Sequence, residues 1–229
     1  MEVINSDSVS EVEFRAWDLA AGAAMMVLGP DFRIRWCNRA FAQQMGMDAV
    51  RTVGAELEEL CPPGLVAERR HYLRPLFARG DRVHFRQLFC GRRVCVTSAR
   101  LGFNSLGQDA FLCAYFPCTG NHCGDKPLAK VGCLGEFAPL SRSELRVAHA
   151  FAQGLTREAI ADRLYRSHHT VQEHLKRVYQ KMGVSREVEL ALRLPKSGIG
   201  GFSVEEWGEI VAATTPRVRI ASAPASADP

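Results

Sequence analysis

The apolar positions of this chain fall into two regimes, one alternating and one helical. In the first half they alternate or run in short blocks. "MMVL" (25–28) is an apolar run, "GPD" (29–31) a turn, and "FRIRW" (32–36) alternates with period 2, the pattern of a half-buried strand. A helix is expected from Asn38, with Phe41 and Met45 on one side and Gly46 at its end. Residues 65–78 read as a second helix, shortened or kinked by Pro75. Three strand-like runs follow: "VHFRQLF" (83–89), "RVCVTSARL" (93–101) and "AFLCAYF" (110–116). Gly91-Arg92 is the expected turn between the first two, and a loop with Gly102 and Gly107 joins the last two.

From residue 140 the period changes to that of a helix. Ser141 stands three residues before Glu144, a capping box, and Leu145, Ala148 and Ala152 make a stripe reinforced by Val147 and Phe151, with Gly154 closing it. Thr156 opens a second helix that buries Ala159, Ile160 and Leu164. After the short turn "YRS", Ser167 caps a third, whose stripe is Val171, Leu175, Val178 and Met182 and whose end is Gly183. Ser185 is the expected cap of a last short helix with Val188, Leu190, Ala191 and Leu194. Four short helices with tight turns make a compact all-α unit, and the second and third have helix-turn-helix spacing.

Two stretches break the periodicity, "PCTGNHCGDKPLAKVGCLGE" near 118–136 and "PKSGIGGF" near 195–202, and both read as linkers. "SVEEWGEIV" beyond them carries a Ser203/Glu206 capping box with Val204, Trp207 and Val211 on one side. It is expected to dock either as an amphipathic helix in a dimer or on its own N-terminal domain. The closing "ASAPASADP" is small, polar and unpatterned. The division is therefore 15–117, a linker 118–136, a helical domain 137–194, and a tail 195–229 with a short helix at 203–212.

Charge sharpens this only modestly. The net charge is +4; residues 1–135 carry +2, residues 136–194 carry +3 and residues 195–229 carry −1. The densest positive stretch is the helical one, which also holds His149, His168, His169 and His174. No run approaches the ~18 apolar residues of a membrane span, and the acidic N-terminus lacks the form of a secretory signal. The expectation is a cytoplasmic protein with no membrane partner and with its eight cysteines reduced.

"LSRSELRVAHAFAQGLTREAIADRLYRSHHTVQEHLKRVYQKMGVS" resembles a LuxR-type (GerE, NarL/FixJ-like) DNA-binding domain; "S-x-H-T-V-x-x-H" followed by "K-x-G-V" carries the likeness. The strand, strand, helices, three-strand order of residues 15–117, with "LGPDFRIRWCNRAF", resembles a PAS domain. The fold class is then α+β: a PAS-like antiparallel sheet with helices, followed by an all-α four-helix LuxR-type helix-turn-helix domain. On that reading double-stranded DNA is the partner. Gln172, Glu173, Lys176 and Arg177 have the chemistry to reach base edges. Thr156, Ser167, His169 and Thr170 suit phosphate, and Arg163 and Lys181 add backbone contacts. His174 is read as packed or hydrogen-bonded. The resemblance implies a homodimer through Val188, Leu190, Ala191 and Leu194, and a PAS-like domain that either takes a small ligand in its pocket or, with the pocket empty, serves only dimerisation. Arg166, Glu158 and Glu173 depart from the family pattern and put the target sequence in doubt.

Cys118, His122, Cys123 and Cys133 could hold Zn²⁺, although their spacing matches no common zinc signature, so the alternative is a cysteine-based redox or metal sensor whose helices serve association. No P-loop, GxGxxG, HExxH or G-x-S-x-G occurs, so no enzyme is expected. The cofactor is unknown: "WCNRAF" does not match the flavin-binding PAS order, and His71 and His84 are conceivable haem ligands.

Overall fold

The structure is a computed structural model that describes residues 23–48, 52–101, 110–118 and 126–214. The expected loop with Gly102 and Gly107, the positions His122 and Cys123, and the tail beyond Thr214 lie outside the described residues.

The chain divides into two compact units. The described part of the first comprises residues 23–48, 52–85, 95–101 and 110–116; that of the second comprises 86–94, 117–118 and 126–214. Strands β1 (Ala24–Leu28), β2 (Ile34–Cys37), β3 (Val83–Phe89), β4 (Arg92–Arg100) and β5 (Phe111–Pro117) form one sheet in the order β2-β1-β5-β4-β3. β1 pairs antiparallel with both neighbours, Met26 opposite Cys37 on one side and Cys113 on the other. Helices α1 (Arg39–Met45), α2 (Leu57–Leu60) and α3 (Pro63–Arg79) lie between β2 and β3 in sequence.

Asn38 explains how α1 is launched. Its fully buried side chain accepts from the Met25 and Phe41 N–H groups, 2.9 Å each, and donates to the Ala23 carbonyl, so one amide caps the helix and ties it to β1. Three expectations change here. "FRIRW" does not begin a strand at Phe32, whose φ of 62° puts it in the left-handed turn while its ring packs on Phe77, and β2 starts only at Ile34. The β3–β4 turn is Cys90-Gly91 rather than Gly91-Arg92: both have positive φ, 48° and 75°, the geometry of a type I′ hairpin. Pro75 lies inside α3, which runs uninterrupted for 17 residues. Among the described residues the interior of this unit contains one charge. Arg69, 1% exposed, donates to the Tyr115 hydroxyl, and burial pushes the Tyr115 pKa far up.

Both outer strands of the sheet are covered by backbone. Residues 54–57 bond to β2 and the turn before it, Ile34 N–H to Ala55 O at 3.0 Å and Leu57 N–H to Phe32 O at 3.1 Å. Within the second unit residues 127–133 run along β3: Arg86 N–H to Pro127 O at 2.7 Å, Ala129 N–H to Arg86 O at 2.8 Å, and Cys133 N–H to Leu88 O at 2.9 Å. Gly132 is needed for this approach, since a Cβ there would stand 2.9 Å from the Leu88 Cβ. What reads as linker in the sequence is therefore partly paired chain.

The helical part of the second unit consists of α4 (Arg142–Ala152), α5 (Arg157–Leu164), α6 (His168–Met182), α7 (Glu187–Ser197) and α8 (Val204–Ala213). One apolar core joins Leu145, Val147, Ile160, Val171, Leu175, Val178, Leu190, Leu194, Trp207 and Ile210. Each such side chain, fully buried, contributes roughly 1.5–3 kcal/mol. Three expectations are revised. α7 is capped by Arg186 without a side-chain bond, because Ser185 is engaged with Glu189, and it continues through Pro195 to Ser197. α8 docks on α4, with Trp207 Nε1–H donating to Leu145 O at 3.1 Å and the indole stacked on His149 at 5.1 Å. Val204 is 48% exposed, so the buried face of α8 is Trp207, Ile210 and Val211.

Candidate nucleic-acid interface

The second and third helices of the bundle, α5 and α6, are joined by three residues. Tyr165 closes α5 in the left-handed conformation, φ 52° and ψ 51°, and its N–H bonds back to Ala161 and Asp162. Arg166 follows with its N–H on Ala161 O at 2.9 Å. Ser167, extended, then starts α6: its hydroxyl accepts from Thr170 N–H at 3.1 Å and lies 2.8 Å from the Thr170 hydroxyl. The expected apolar stripe of α6 (Val171, Leu175, Val178, Met182) is buried throughout.

The opposite face is wet. His169, Gln172, Lys176 and Arg177 are exposed, and Glu173 and His174 are half-buried. Lys176 and Arg177 form no ion pair among the described residues. Several other cations of the unit are engaged, while Arg142, Arg146 and Arg166 are exposed and, like these two, in no ion pair among the described residues. Lys181 Nζ lies 2.7 Å from Glu144 Oε2, Arg163 donates to Gln153 at 2.6 Å, Arg193 pairs with Glu136 at 2.5 Å, and Arg157 pairs with Glu187. Glu144 thus serves twice, as the capping-box carboxylate and as partner of Lys181. Burial pushes its pKa up, but the Lys181 ammonium and the Ser141 N–H outweigh that and hold it below the usual value. Thr156 caps α5 through the Ala159 N–H, 3.3 Å. Glu158 sits in the first turn of α5 and pairs with His168 at 3.2 Å, and the backbone N–H groups there lower its pKa. Its negative charge, a departure from the family pattern, has a local helix-terminus role.

Residues 138–194 match the family described as bacterial regulatory proteins, luxR family, and residues 20–116 match the PAS fold. The chain is a LuxR-type transcription regulator with an N-terminal PAS domain. It is therefore a DNA-binding protein rather than an enzyme. No curated protein matches it. Among solved structures, the phage VqmA–DPO complex is 16% identical with a TM-score of 0.44, over 87% of this chain and 95% of that one. The Vibrio cholera VqmA–ligand–DNA complex is 14% identical, TM-score 0.41, over 86% and 92%. The PAS domain of Bordetella pertussis BvgS is 20% identical, TM-score 0.39, over 48% and 87%. Likenesses this distant carry no functional weight.

In the LuxR-type domain the four positions expected at a dimer contact separate. Leu190 and Leu194 are fully buried in their own core, so they are not available to a second chain, whereas Val188, 64% exposed, and Ala191 face out beside Leu192, 62% exposed. His71 and His84 are both exposed on the PAS domain, His84 hydrogen-bonded to Thr97 at 3.0 Å, and neither lies inside it. Of the four suggested zinc ligands, Cys118 is buried and Cys133 lies against Cys90; no group of three metal-binding side chains occurs among the described residues. No helix among them is long and apolar enough to cross a membrane.

Sequence reasoning passed over Tyr165. It is 90% exposed beside the α6 N-terminus, and the only available signal was an aromatic residue in a three-residue polar turn.

Proposed function

We propose that the chain binds DNA as a homodimer, each copy of α6 entering a major groove, with a small ligand in the PAS domain as the input. The observation that carries this is the exposed pair Lys176 and Arg177, without ion pairs among the described residues, on the face opposite a fully buried stripe. Exposed cations that the fold leaves unneutralised suit the acceptors of guanine, and Gln172 one turn earlier suits adenine. Glu173 accepts from a cytosine amino group in the same register. Ser167, His169 and Thr170 at the start of α6, Thr156 at the start of α5, and Tyr165 and Arg166 in the turn meet phosphates and sugar. Arg163 and Lys181 contribute less than their charge suggests, because Gln153 and Glu144 already engage them.

A single helix reads too few base pairs to select a genomic site, so two copies are needed. The exposed Val188, Ala191 and Leu192 of α7 support a two-fold contact, and half-site centres then fall about 10 base pairs apart. Footprinting on genomic fragments tests the reading. Lys176→Ala or Arg177→Ala should weaken specific binding by about 1–3 kcal/mol and relax the preference at one position per half-site. Affinity and preference unchanged in both proteins would overturn the assignment of this face. A ligand acting through the PAS domain should move the DNA-binding midpoint of the wild type; an effector that leaves it fixed at saturation is not the input.

A further inference from the structure

Seven of the cysteines lie in described residues, and five of them (Cys37, Cys61, Cys95, Cys113 and Cys118) are buried. The other two are half-exposed and adjacent. Cys90 Sγ and Cys133 Sγ are 3.8 Å apart, although 43 positions separate them in sequence. Their nearness is fixed by backbone. Cys133 N–H bonds to Leu88 O at 2.9 Å and Gly91 N–H to Cys133 O at 2.8 Å, so Cys133 is held against the turn that contains Cys90. Hydrogen-bonded neighbouring chains run about 4.7–4.9 Å apart, inside the range of about 4.4–6.8 Å between Cα atoms that a disulfide spans. Gly91, Gly132 and Gly135 flank the pair, and the backbone is so close that a Cβ on Gly135 would stand 2.4 Å from the Cys90 carbonyl carbon. The two thiols need only side-chain rotation to close to a bond of about 2.05 Å.

We propose that Cys90 and Cys133 are a reversible oxidation site, converted by a hydroperoxide into one intrachain disulfide. One thiolate attacks the peroxide oxygen, giving a sulfenic acid and, with hydrogen peroxide, one water. The second thiol then attacks that sulfur and displaces a second water. Two thiols lose two protons and two electrons, the peroxide O–O bond is reduced, and a dithiol reverses the step by exchange. The bond ties the β3–β4 turn to the segment that enters the LuxR-type domain.

The test uses the full wild-type chain, treated with hydrogen peroxide, blocked with an alkylating agent and digested without reductant. A joined Cys90–Cys133 peptide, 2 Da lighter than its two parts and separated by dithiothreitol, is expected. The oxidised protein should also melt roughly 5–10 °C higher than the reduced one, since the bond closes a long loop. Cys90→Ser and Cys133→Ser should each abolish both effects while melting like the reduced wild type. Both thiols still open to alkylation after peroxide, or either joined to another cysteine or another chain, would overturn the proposal. DNA affinity enters none of these readings.

Discussion

α6 and α7 are built alike and face solvent differently. Each buries a stripe in the same core, Val171, Leu175, Val178 and Met182 from one, Leu190 and Leu194 from the other. On its exposed side α6 presents Gln172, Lys176 and Arg177, with the two cations unpaired among the described residues. α7 pairs Arg186 with Glu189 and Arg193 with Glu136, and leaves Val188 and Leu192 bare. An exposed face that keeps its cations free suits a polyanion. One that neutralises its arginines and exposes aliphatic side chains suits an apolar partner surface. A stripe of apolar residues alone tells neither apart; what discriminates is the treatment of charge on the far side.

The largest effect should come from the shared core. Val171→Asp places an unpaired charge in it and should cost more than about 4 kcal/mol, enough to lose the helical domain and DNA binding together. Circular dichroism and melting would check this, and a protein that melts like the wild type would mean α6 is rotated from the register described. Next comes the outer side of α7. Val188→Asp combined with Leu192→Asp should weaken self-association at least about tenfold, ~1.4 kcal/mol, without changing the monomer's melt, because neither side chain is in the core. Sedimentation that finds the dimer intact would remove α7 from the interface.

Acid should act on the bundle more gently. Burial, with Arg163 nearby, lowers the His149 pKa below its ordinary 6.5, against the pull of the Phe202 carbonyl. The unfolded chain therefore binds the extra proton first, and stability falls as pH drops below about 6.5 toward the folded value. The depressed carboxyl of Glu144 adds a second loss, as pH falls from its ordinary 4.5 through its lower folded value. A decline in Tm of roughly a few degrees between pH 7.5 and 5.5, smaller in His149→Gln, is expected; a flat profile in the wild type contradicts the buried neutral imidazole. The smallest difference separates two lysines on α6. Lys176→Met should lower the salt slope of DNA binding by about 1, and Lys181→Met by much less, because Glu144 already holds that ammonium. Equal slopes in the two variants would erase the distinction.

The helical unit was the more legible half. Ser141 with Glu144, Ser167 with its stripe, and Ser203 with Glu206 are local signals, and local signals determine where a helix starts. The solvent-facing side of α6 followed from them by geometry. What escaped was set by distant chain. Phe32 fits an alternating pattern, yet its left-handed turn lets it pack on Phe77, 45 positions away. "PLAKVGC" has the composition of a linker and still pairs with β3, because its N–H and C=O groups need no particular side chains to do so. The inward turn of Leu190 and Leu194 depended on the helix starting at Glu187, which no capping residue announced. Nothing local could bring Cys90 to Cys133.

The two backbone covers on the sheet also bear on how the protein behaves in concentrated solution. β2 and β3 are the outer strands, and bare outer strands recruit strands from other molecules. Residues 54–57 bond to Ile34 and residues 127–133 to Arg86 and Leu88, so part of each rim is already occupied. Solubility therefore depends on stretches whose backbone bonding matters alongside the burial of Leu57 and Ala129. A Gly132→Val protein, forced away from Leu88, should form aggregates rich in intermolecular β-structure at temperatures where its helices are still intact.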